Sequence, residues 1–263
     1  MNSEQIGLMA VKEMSFWDHL NELRKRVLIS LLAIIIITSV ALIFSNTLLK
    51  VLLIPAGGMR LNAFGLMDGF MIKFRIALYI GVAAAFPIWG FELYRFIVPG
   101  LLDRERKTLL PGLLVSTCLF VLGVLFGYYL LREMIHVMIT LFPPEVAFLP
   151  AADEYISFVT FFLVACGVAF QLPVVITILV QLRILNVNIL KKQRRIAYFI
   201  LFAFAEIVTP VSDPIIAPLV VMIPMLLLYE GSILVAVRIE ANRLKSSHEP
   251  LTERDNPFKE TKS

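Results

Sequence analysis

Long apolar runs alternate with short polar segments along this chain of 263 residues, in a pattern that predicts six membrane-spanning helices. The runs fall at about 27–46, 73–95, 109–131, 155–182, 196–209 and 215–236. A helix needs about 20 apolar residues to cross a bilayer. The run at 196–209 is short by that measure, so its helix must tilt little or the bilayer must thin around it. Pro87 and Pro173 lie inside the second and fourth runs and interrupt them. Only a turn, Pro210 to Pro214, separates the last two. These two short spans are expected to leave a concave, partly polar groove.

Ahead of the first run, Phe16, Leu20, Leu23 and Val27 recur at helical spacing, with Asp18, His19, Glu22 and Arg26 on other faces. This predicts an amphipathic leader over residues 1–26 that lies on the membrane and runs into the first span. An ordinary solvated helix start produces much of the same pattern. The leader is polar and long and no small-residue cleavage site follows, so a cleaved signal peptide is not expected. The transmembrane domain then covers residues 27–237. The charged segment 238–263 is expected to be a disordered tail.

Composition fits this reading. Hydrophobic residues make up 59% of the chain and charged ones 17%, with a mean hydropathy of +0.85. Soluble domains run near 45–50% apolar. Backbone polar groups inside lipid need internal partners, and long unbroken runs favour helices over a barrel. The fold class is therefore all-α and polytopic. The net charge of +4 reflects basic loops rather than nucleic-acid binding. Arg24, Lys25, Arg26, Arg104, Arg106, Lys107, Lys191, Lys192, Arg194 and Arg195 fall on one side. Lys50, Arg60, Lys73, Arg75 and Arg132 fall on the other. The richer side is cytoplasmic, which puts both termini there.

Few residues suggest chemistry. There is no phosphate-binding loop and no serine-protease elbow. His19, His136 and His248 are far apart, and Cys118 and Cys166 sit in apolar runs, where small buried cysteines commonly pack. Neither an enzyme, a metal site nor a cofactor is expected. Polar residues at membrane depth are the stronger signal because burying them is costly. Gln171 and Glu206 qualify, as a functional pair or as hydrogen-bonding glue between helices. Glu92 and Glu230 lie near span ends and can reach the interface. Glu105, in the charged loop after the second span, either receives a guanidinium or pairs with its basic neighbours.

Several segments, in order, resemble the TatC family. They are His19-Leu20-Asn21-Glu22-Leu23-Arg24-Lys25-Arg26; Phe96-Ile97-Val98-Pro99-Gly100-Leu101 with Glu105 and Arg106; Glu154-Tyr155-Ile156-Ser157-Phe158; and Gly167 to Pro173. Thr209-Pro210, Asp213-Pro214, Pro224 and Tyr229-Glu230 complete the series. The resemblance implies a receptor for the twin-arginine signal peptides of folded precursors. Such a receptor organises single-span TatA/TatB-type subunits in an oligomeric complex for export driven by the proton-motive force. By position, Glu22, Arg24, Phe96, Leu101 and Glu105 would form the signal-peptide site. Pro55 would shape the first outer loop, Tyr128 would line the concave face, and Asp213 belongs to the closing motif. The chain departs from the family pattern in having Gln171 where a glutamate is usual and in lacking a Ser-Gln pair after Asp213-Pro214. Asp68-Gly69-Phe70 stands in place of Glu-x-Phe.

Two other classes compete. A proton-coupled small-solute transporter would use Glu206 as its relay. A structural scaffold would have no receptor role. Neither needs Glu22 or Glu105.

Overall fold

The computed structural model describes residues 16–57, 59, 61–97, 109–140, 143, 150–209 and 216–247. Regular structure among them is helical, apart from one isolated bridge between Asn62 and Ala151. The helices are α1 (Phe16–Ile43), α2 (Ser45–Leu53), α3 (Asp68–Ala84), α4 (Phe86–Ile97), α5 (Leu109–Thr140), α6 (Ala152–Ala169), α7 (Leu172–Gln181), α8 (Val187–Lys192), α9 (Arg194–Val208) and α10 (Ile216–Ser247). The all-helical expectation holds.

Among the described residues, four stretches are long and apolar enough to cross a bilayer: His19–Ile43, Pro111–Val137, Ala152–Gln181 and Pro218–Ala241. The pair Asp68–Ala84 and Phe86–Phe96, bent by 49°, makes a fifth when taken as one broken span. The remaining expected span is α9, whose 15 residues reach about 22 Å at 1.5 Å per residue. That falls short of a hydrocarbon core of ~30 Å.

Two units are distinguished by their contacts, residues 1–164 and 165–263, with the boundary inside α6. In the first, α1 packs along α3 and α4, and α4 packs on α5. At Gly81 the helices α1 and α3 approach closely: a Cβ there would lie 2.8 Å from the Cα of Thr38. Small residues permit such approaches between membrane helices. Phe86 stacks on Phe120 at 4.1 Å and meets Trp89 edge-on at 4.7 Å. Pro87 has no N–H to continue the helix from α3. The missing bond is the one to Ala83 O, and one position earlier the carbonyl of Val82 accepts from the indole of Trp89 at 3.0 Å.

Residues 47–72, expected as a loop, contain most of α2 and a 3-10 turn, Ile54–Ala56. Leu48, Leu49, Leu52 and Leu53 give this stretch an apolar face that packs against α3. Gly57 ends it with φ +62°, a left-handed conformation that glycine adopts without strain. Two tyrosines hold the end of α2. Tyr128 donates to Val51 O at 2.8 Å and Tyr155 to Leu52 O at 2.9 Å. Further along, Arg75 on α3 bonds Asp153 at 2.9 Å and also Ser157, tying α3 to the start of α6.

In the second unit α10 packs against α7, α8 and α9. The Glu230 carboxylate accepts from Tyr198 at 2.6 Å and pairs with Arg194 at 2.9 Å. Tyr229 donates to Leu190 O at 3.0 Å. Pro224 is accommodated inside α10, which continues through Arg238 to Ser247. The first ten residues of the segment expected as a tail are thus helical, and 248–263 lie outside the described residues.

Candidate functional site

The leader residues and the end of the second span meet because α1 begins at Phe16 and runs on as one helix beside α4. Between them lies a cleft of about 240 Å³ whose walls include Leu23, Val27, Trp89, Leu93 and Phe96, with Arg26 and Glu92 as its charged members. At its mouth Phe96 stacks on His19, ring centroids 4.3 Å apart and planes 20° apart. The walls are otherwise mostly apolar, with the Ser30 hydroxyl donating to Arg26 O at 2.9 Å.

Glu22 and Arg26 are four residues apart on α1, which puts them on one face. Arg26 Nε donates to Glu22 Oε1 at 3.2 Å, and Nη2 bonds the same oxygen. The third contact crosses between helices: Arg26 Nη1 donates to Glu92 Oε2 at 3.0 Å. The three side chains are only 21%, 13% and 11% exposed for Glu22, Arg26 and Glu92. One guanidinium therefore bridges two largely buried carboxylates, and the group carries a net charge of −1. Glu22 Oε2 is buried and has no hydrogen-bond partner among the described residues.

Of the residues expected at a signal-peptide site, the structure brings Glu22 and Phe96 to this cleft region. Arg24 is exposed. Leu101 and Glu105 lie outside the described residues, as does Asp213. Arg26 and Glu92 complete the charged group, although no motif singles out either for the site. The available signals were the i, i+4 spacing of Glu22 and Arg26, and an ionisable residue inside the second span.

The other expected residues lie elsewhere. Pro55 is buried in the 3-10 turn and borders a pocket with Arg132, Glu133 and His136. Tyr128 serves as the tether to α2. Gln171 occupies the break between α6 and α7, where Pro173 opens the next helix. Its N–H donates to Val168 O at 2.9 Å, a tighter bond than the helical one. Glu206 is half-buried on α9. No group of three metal-ligating side chains occurs among the described residues.

The family model described as "Sec-independent protein translocase protein (TatC)" matches residues 18–224. A TatC protein of Carboxydothermus hydrogenoformans is 34% identical over 231 residues, 87% of this chain and 95% of that protein. TatCy of Bacillus subtilis is 32% identical over 243 residues, 91% and 95% of the two chains. A crystal structure described as the twin arginine translocase receptor TatC superposes with a TM-score of 0.75 at 31% identity. It covers 83% of this chain and 99% of that one.

Proposed function

Because the chain belongs to the TatC family, and so is a multi-pass membrane protein of twin-arginine protein transport, we propose that it is the translocase's signal receptor. It binds the paired arginines of a precursor's signal peptide at the α1–α4 cleft, on the cytoplasmic face. The observation that carries this reading is the carboxylate pair Glu22 and Glu92 set around a guanidinium at the edge of a largely apolar cleft. A carboxylate holds a guanidinium through parallel charge-assisted bonds, which a lysine ammonium cannot reproduce. The apolar stretch of the signal finds Phe96, Leu93 and Trp89 alongside. Glu105 and Leu101 complete the site from the following loop, and exposed Arg24 adds a polar contact at its rim.

In this reading the chain has six spans, the short α9 being one, and both termini face the cytoplasm of a cell whose inner membrane it crosses. Single-span TatA/TatB-type subunits join it in an oligomeric complex that uses the proton-motive force. Gln171 and Glu206 line a polar groove in the membrane, where Glu206 supplies the carboxylate that Gln171 lacks. Its relatives are named as translocase proteins, a transport role rather than a catalytic one, and solute transport through Glu206 is not favoured.

Export in a strain lacking its own TatC-type subunit tests the proposal. This chain, with its cognate partners, should restore export of a folded reporter bearing a twin-arginine signal, and not of one bearing two lysines. Export that ignores the arginines would refute it.

A further inference from the structure

An arginine already stands where an arginine ligand would bind. Arg26 places two N–H groups on Glu22 Oε1 and a third on Glu92 Oε2. Arg26 and Glu92 form part of the cleft wall, whereas Glu22 is not among its lining residues. Glu22 also keeps a buried oxygen, Oε2, without a hydrogen-bond partner. Two carboxylates share one guanidinium beside Val27, Trp89, Leu93 and Phe96. In such surroundings an uncompensated charge is costly.

The three side chains are therefore one cation short, and Arg26 covers one of the two oxygens of the Glu22 carboxylate that a ligand needs. We propose, on the premise that the chain is a twin-arginine receptor, that Arg26 is a resident competitor for the signal arginine at Glu22. Glu92 is the positioning residue that keeps Arg26 paired when the signal takes its place. No new bond has to be found for Arg26, because Nη1 already rests on Glu92. The exchange turns two carboxylates with one guanidinium into two matched pairs. It also sets specificity. A ligand must replace the bonds Arg26 makes to Glu22, which a guanidinium does and an ammonium, with its compact point charge, does poorly.

The proposal gives the two ends of one ion pair opposite effects. The test is binding of a labelled twin-arginine peptide, and of its Lys-Lys counterpart, to the purified full chain in nanodiscs. Arg26→Gln removes the competitor and should tighten the arginine peptide by about tenfold, a shift worth ~1.4 kcal/mol. It should also narrow the preference over the lysine peptide. Glu92→Gln keeps the shape and can still accept a hydrogen bond from Arg26, but should weaken binding by about tenfold. A merely structural ion pair predicts loss in both variants, and that result overturns the proposal, as does no change in either. Should Arg26→Gln fail to fold, Arg26→Lys serves: it cannot span both carboxylates and should tighten binding by a smaller factor, and weakened binding refutes the idea. Glu22→Gln separates the two readings. If it binds the peptide as wild type does, the receptor site itself is misplaced, whatever Arg26 and Glu92 do.

Discussion

The indole N–H of Trp89 donates to the carbonyl oxygen of Val82, 3.0 Å away, across the bend between α3 and α4. That carbonyl lies at the break introduced by Pro87, where lipid offers it no partner. Trp89→Phe keeps the ring against Phe86 and removes only the donor. It should lower stability by about 0.5–1.5 kcal/mol, read as a lower melting temperature in detergent, with the fold otherwise unchanged.

Gly81 allows α1 and α3 to touch. A Cβ at this position meets the Thr38 hydroxyl and also its backbone Cα, at 2.8 Å, which no rotamer change can move away. Gly81→Ala should therefore destabilise the first unit by about 1–3 kcal/mol through overpacking, despite the better helix propensity of alanine. Thermal unfolding of the purified protein measures it, and an unchanged or higher melting temperature would contradict the packing described.

The two tyrosines at the end of α2 are unequal. The Tyr155 bond to Leu52 is buried and the Tyr128 bond to Val51 is exposed. Water can replace the second donor but not the first. Tyr155→Phe should cost about 1–3 kcal/mol and Tyr128→Phe less than about 1 kcal/mol, in the same unfolding assay.

The polar groove proposed around Gln171 and Glu206 makes a rescue prediction. Glu206→Ala should impair export of a folded reporter. Adding Gln171→Glu, which restores the carboxylate usual in the family, should recover it. Normal export by Glu206→Ala alone would remove Glu206 from the account.

Much of this architecture was legible in the order of apolar runs, because lipid forces each run into a helix. Pro87 and Pro173 mark the bend between α3 and α4 and the interruption between α6 and α7 for a simple reason: a missing N–H is visible in a sequence. The α2 segment was hidden, since nine residues carry too little periodicity to stand apart from a loop. Glu22 and Phe96 were found through motif resemblance. Glu92 reads in sequence as a residue that can reach the interface; its partner, Arg26, is 66 residues away, and only packing of α4 on α1 brings them together. Glu230 reads the same way in sequence, and its bonds to Tyr198 and Arg194 depend on how α9 lies against α10.

The most direct test of the receptor assignment is the affinity of a labelled twin-arginine signal peptide for the purified chain. Wild type would be compared with Glu22→Ala and Glu105→Ala, with a Lys-Lys peptide as control. Losing a charge-assisted partner should cost about 1.5–3 kcal/mol, or roughly 10- to 150-fold in affinity. That loss should appear for the paired arginines and not for the lysines. Equal binding by all three proteins would contradict the assignment.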